Sequence, residues 1–273
     1  MGIAETGLEA GSNNTVARRP GSRGSTQRLA ELAGSTPATS IEEVVRRLVA
    51  IRDHATNTSV LGENDGIAAF SKLYHIITRR VGEMVENGEF RSSPFLVRLD
   101  IEFAERFFQA LRSYAEDVHT APGVWRALFD NRSDPKVPPV NFAVLGVNAH
   151  INYDLAHALI ATWRHVEPDG DGADSEQFHD YRLINEVFEI EMDGLREELD
   201  SIFSNGPDGA PWDVGANWLA DLVVTFTRDL AWDEAKRVWK AGASPEVCKA
   251  SERRLDSMAT FIAEGVLRLP LPV

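Results

Sequence analysis

From Ser40 onward the apolar residues of this chain recur at three- and four-residue intervals, and no stretch alternates as a strand requires. Ser40 and Glu43 have capping-box spacing ahead of Val44 and Leu48, which predicts a helix start. Asp65 and Gly66 precede a second helix, with Phe70, Leu73, Tyr74, Ile77, Val81 and Met84 on one stripe and Gly88 as its stop. Ser93 is the predicted cap of the next, with Pro94 at its first position and Leu96, Leu99, Phe103, Phe107 and Tyr114 inward. A short helix is expected over Pro122 to Phe129, and a long one from about Phe142 to Val166. Residues 167–175 form an acidic, glycine-bearing connector; Asp169 and Asp171 look like the start of a calcium loop, but the rest of that pattern fails. A helix of about 28 residues should follow, with Tyr181, Ile184, Phe188 and Leu195 on its stripe. Asp213 begins another that reaches roughly to Lys240, and Ser244 and Pro245 begin the last.

The pattern therefore predicts an all-α protein, a single-domain bundle of about seven to eight helices around a central buried helix at about 142–166. The domain is read as 39–273. Residues 1–38, rich in Gly, Ser, Thr, Ala and Arg with no sustained apolar period, are read as a disordered leader.

A formal net charge of −14 argues against a nucleic-acid partner, since no basic run exceeds two residues. Cys248 is the single cysteine, so no intrachain disulfide can form. No apolar core follows Met1 and no apolar run reaches membrane-spanning length. A soluble, cytoplasmic protein with no membrane span is the expectation.

Three polar rows interrupt this apolar design. Asn148-Ala-His150-Ile-Asn152-Tyr-Asp154-Leu-Ala-His157 lies in the central helix, where Asp154 is the one formal charge between Phe142 and Trp163. His150, Asp154 and His157 stand at i, i+4 and i+7 on one face, and Asn148 and Asn152 on another. Polar groups in such a helix cost a few kcal/mol each unless paired or ligated. They form either a satisfied hydrogen-bond network or a ligand or metal site, zinc being one candidate. Asp100 falls within the arc of Leu96, Phe103 and Phe107, so its carboxylate needs a cation or a metal. Asp221, Thr225 and Asp229 recur at i, i+4 and i+8 as a stripe of oxygen ligands, with Arg228 beside it to grip an anion; a solvated helix face would look similar. Asn185 shares the apolar stripe of its helix, and Trp232 sits on the polar side of its own.

The string Asn148 to Leu155 resembles the signature of an uncharacterised, mainly actinobacterial and fungal domain family. The likeness extends to Phe70–Tyr74, Leu99-Asp100, Phe103-Ala104, Asp180 with Asn185, and Arg228–Trp232. The chain is also similar to the noncanonical humulene-type sesquiterpene cyclases. That resemblance implies a magnesium-dependent, class I-like terpene synthase acting on a prenyl diphosphate. Asp221 and Thr225 match the second metal motif of class I enzymes, with Asp229 in place of its Glu. No Asp-Asp-x-x-Asp occurs, so Asp100 or Asp154 would have to substitute for it.

The expected reaction is thus ionisation and cyclisation of an allylic prenyl diphosphate, a lyase step. Asp100, Asp154, Asp221, Thr225 and Asp229 would hold Mg2+, and Arg228 would bind the leaving group. Asn148, His150 and Asn152 would complete the polar site, and Phe103, Phe107, Asn185 and Trp232 would line the pocket. Two alternatives stay open: a hydrolase with Zn2+ at His150 and Asp154, and a non-enzymatic ligand-binding bundle. Any self-association is expected to be a homodimer.

Overall fold

A computed structural model describes residues 20–170, 174–187 and 225–268. The described residues are almost wholly helical, with no strand among them. Helix α1 spans Pro20–Leu32, α2 Ile41–Thr58, α3 Gly66–Glu86, α4 Ser93–Glu116 and α5 Gly123–Asn131. The central helix runs in three parts: α6 over Pro139–Asn148, a π-helical turn over Ala149–Asp154, and α7 over Leu155–Trp163. Residues 176–187 form α8, Thr225–Lys240 α9 and Pro245–Arg268 α10.

The central helix is enclosed as its composition predicts. α3, α4, α5, α9 and α10 pack around it, and Phe142, Leu145, Ala149, Leu155 and Leu159 are each 1% exposed or less. Polar side chains lock the surrounding ends. Asp65, fully buried, accepts from the backbone N–H groups of Ile67 and Ala68 at 3.0 and 3.3 Å and pairs with Arg132 at 2.8 Å. Asp256 of α10 accepts from the N–H groups of Gly123 and Val124, fixing the start of α5. Asp180 of α8 does the same for Arg91 and Ser92, at the start of α4. Asp169 accepts from Ser175 Oγ and from the N–H of Gln177, so it serves the start of α8.

Several boundaries move. Ser92, not Ser93, precedes the first residue of α4. Ser40 accepts from Glu43 N–H, but the Glu43 carboxylate reaches back to Thr39 N–H rather than to Ser40. The reading of 1–38 as a disordered leader does not hold from residue 20 onward. α1 packs on α4, with Leu29 and Ala33 no more than 1% exposed. Its apolar stripe is a single turn, too short to register against a Gly/Ser-rich background. Residues 1–19 lie outside the described residues, as do Phe188, Leu195 and the start predicted at Asp213.

Gly146 of the central helix lies against Phe70 of α3. A Cβ there would stand 2.2 Å from Cδ2 of Phe70 and 2.5 Å from its Cγ. Alanine favours a helix by about 1 kcal/mol over glycine, but the ring is held by Trp125, Phe107 and His150 and cannot yield freely. Gly146→Ala is therefore expected to destabilise the protein by ~1–3 kcal/mol. A urea midpoint equal to or above that of the unaltered protein, at unchanged slope, would refute this packing.

Candidate functional site

The π-helical turn presents the chemistry. Leu155 N–H donates to His150 O, a bond to the fifth residue back, which widens the turn. Within this turn His150 Nδ1 lies 3.2 Å from Asp154 Oδ2. Asp154 is 1% exposed and fully engaged: Trp125 Nε1 donates to Oδ2 at 3.0 Å, and Arg106 Nε approaches Oδ1 at 3.4 Å. Arg106 also pairs with Glu252 at 3.2 Å. With the carboxylate as acceptor, the Nδ1 position of His150 carries the proton, and Nε2 carries the lone pair.

The His150 ring lies flat against Phe103, with centroids 3.4 Å apart at 11°, and edge-on to Tyr74 at 4.4 Å. Its Nε2 is buried and has no partner among the described residues. Burial, opposed by Asp154, lowers the imidazole pKa, so the ring is neutral at pH 7.

A cavity opens beside this ring. Phe70, Tyr74, Leu96, Leu99, Phe103 and Ile151 give it apolar walls, and Asp100, His150 and Arg228 are the ionisable side chains that line it with Tyr74. A water centre can range over about 50 Å³, enough for a few waters or a small molecule and well below the ~300 Å³ of a drug-sized pocket. Asp100 Oδ2 has no partner among the described residues. Desolvation alone raises the Asp100 carboxyl from 3.8 to about 8, so it keeps its proton at neutral pH. Burial, with Asp100 and Asp154 nearby, holds the Tyr74 phenol well above its usual range.

Arg228 completes the lining. It is 2% exposed; its Nε donates to Asn185 Oδ1 at 2.5 Å and its Nη2 to Tyr181 O at 3.1 Å. The guanidinium carbon stands 4.5 Å from the Tyr181 ring centroid. No carboxylate lies within ion-pair distance of it among the described residues, and burial lowers its pKa.

The cavity thus gathers Asp100, Phe103, His150 and Arg228, with Asn185 behind Arg228. Other expected site residues lie elsewhere. Asn148 Nδ2 donates to Ala259 O of α10 at 2.8 Å, and Asn152 Nδ2 to Asn148 Oδ1, so this pair ties the central helix to α10. Phe107 packs in the core against Phe70 and Trp125 rather than in the cavity lining. Trp232 belongs to a cluster with Phe95, Trp163, Phe178 and Tyr181. His157 sits beside Tyr153, outside the lining, and its pKa falls to about 3 through burial and the charge of Arg106.

Asp229 is half-buried, and Asp221 and the Thr225 side chain lie outside the described residues. Among the described residues no group of three His, Cys, Asp or Glu side chains could hold a metal ion. Asp154 in particular spends its oxygens on three donors and does not fit the role of metal ligand. Sequence reasoning missed Trp125, Arg106 and Tyr181, which hold the site residues in place from other helices.

A protein-family model described as a family of unknown function matches residues 41–269. No curated protein and no solved structure matches the chain.

Proposed function

The chain belongs to that family, DUF5995, and on geometric grounds we propose that its cavity is the active site of an enzyme using general acid–base catalysis on a small, mainly apolar substrate. One observation carries this reading: an imidazole nitrogen and a carboxyl oxygen, both buried and both without partners among the described residues, line the same apolar cavity. Their environments push their pKa values past one another, which leaves a neutral imidazole base and a protonated carboxylic acid together at pH 7. A substrate proton passes to His150 Nε2 while Asp100 gives its own proton to the substrate oxygen on which charge develops. The resulting imidazolium and carboxylate return to their starting states by the reverse transfers with product or water. Asp154 acts as a positioning residue, fixing the tautomer and direction of the ring.

Ionisation of a prenyl diphosphate is a second reading, favoured by the shared cavity of Asp100, Phe103 and Arg228. It needs metal ligands that the described residues do not supply.

The test is incubation of the full chain with small ketones, esters and lactones in deuterated water, followed by proton NMR for exchange or hydrolysis. Parallel samples would hold geranyl, farnesyl and geranylgeranyl diphosphates with and without Mg2+, read by gas chromatography–mass spectrometry. Turnover that drops roughly 10²–10⁴-fold in His150→Ala and Asp100→Ala is expected. A magnesium-dependent hydrocarbon would replace the acid–base reading with the terpene one. Binding without turnover of anything would leave a ligand-binding bundle.

A further inference from the structure

We propose that the ligand of this cavity is a singly charged carboxylate whose counter-ion is Arg228. The inference rests on the cavity being a ligand site and adds the class of ligand. A buried cation is costly without an anion, and among the described residues Arg228 finds only neutral contacts: the Asn185 amide, the Tyr181 carbonyl and the Tyr181 ring. Asp229, the next residue, attracts it from beyond ion-pair distance. Asp154 is committed to Arg106, His150 and Trp125, and does not line the cavity. Asp100 is in the lining but keeps its proton at neutral pH. Among the described residues one positive charge therefore remains for the ligand to neutralise.

The hydrogen-bond count agrees. A guanidinium has five N–H donors. Asn185 and Tyr181 take one from Nε and one from Nη2, which leaves two on Nη1 and one on Nη2. One from each is the fork that grips a carboxylate with two parallel bonds. A phosphate monoester or diphosphate would bring more negative charge than this one cation offsets, and no second cation lines the cavity among the described residues. The apolar walls and the small volume suit the remainder of a short-chain acid.

Calorimetric titration of the full chain tests this with matched ligands: butyrate, hexanoate and benzoate, the corresponding alcohols, and butyl phosphate and inorganic diphosphate. At least one carboxylate is expected to bind roughly a hundredfold more tightly than its alcohol, the worth of a charged hydrogen-bonded pair. Arg228→Met should abolish that preference while leaving the alcohol's affinity in place. Should Arg228→Met fail to fold, the carboxylate-to-alcohol ratio in the unaltered protein still decides. Equal affinity for the two, or tighter binding of butyl phosphate or diphosphate, overturns the proposal and leaves the cavity as a site. No binding by any member overturns this proposal and the cavity's role as an active site together. Carboxylate binding without turnover supports this proposal and overturns the acid–base one.

Discussion

Asp100→Asn is expected to stabilise the protein at pH 8, by roughly 2–4 kcal/mol once the cost of its unpartnered amide is set against the carboxyl's ionisation penalty, although the residue is buried and polar. The Asp100 carboxyl is 9% exposed with an unpartnered Oδ2, and its pKa rises from 3.8 to about 8 on folding. Between those values the unfolded chain has released a proton that the folded chain retains. Stability consequently falls as pH rises, by ~1.4 kcal/mol per unit. His75, His150 and His157 act in the opposite sense: burial lowers their folded pKa below 6.5, so they make stability rise with pH up to about that value. Above 6.5 they are neutral in both states, and the interval from 6.5 to 8 belongs to Asp100. There the unaltered protein should lose about 2 kcal/mol while Asp100→Asn stays level, as read from urea midpoints at several pH values. A variant that falls as steeply as the parent would dissociate Asp100 from this behaviour. The same change removes the proton donor, so a gain in stability would accompany a loss of turnover, as expected of a group kept for function at the expense of stability.

The helical class and the central helix were legible because burial on all sides leaves a compositional mark: apolar residues occur all round the segment from Phe142 to Trp163. The His150–Asp154 pair was legible from spacing alone, and the inward Asp100 from its arc. Partners on other helices were not. Trp125 and Arg106 meet Asp154 across 29 and 48 residues of sequence, and a helical period says which face is buried but not which helix covers it. Asn148 and Asn152 show the cost of that limit. Polar residues on an apolar face suggested a ligand, yet Asn152 donates to Asn148, and the acceptor for Asn148 is the carbonyl of Ala259, which any residue at 259 would present. The π-helical turn has no sequence period of its own here. His150 and Asp154 both lie on it.

Asp154→Ala should move stability in the opposite direction from Asp100→Asn, with a loss of about 3–5 kcal/mol. The two carboxyls are similarly buried, and their neighbours decide the sign. Truncation at 154 leaves Trp125 Nε1 and His150 Nδ1 in the interior without an acceptor, and Arg106 with Glu252 alone. Asp154→Asn should cost less, because its amide oxygen can still accept from Trp125 and His150 while its amino group faces Arg106, which retains Glu252. The order parent, Asn, Ala in urea midpoint therefore reads out how many donors the carboxylate serves. Nitrogen-15 NMR of the His150 ring separates this structural role from the positioning one. The parent should show a proton fixed on Nδ1, and Asp154→Ala a mixture of tautomers, since nothing then distinguishes the two nitrogens. An Asp154→Ala protein with the parent's midpoint and the parent's tautomer would show that the pair neither holds the fold nor aims the base. Loss of the fixed tautomer together with turnover would tie the direction of Nε2 to the chemistry of the cavity.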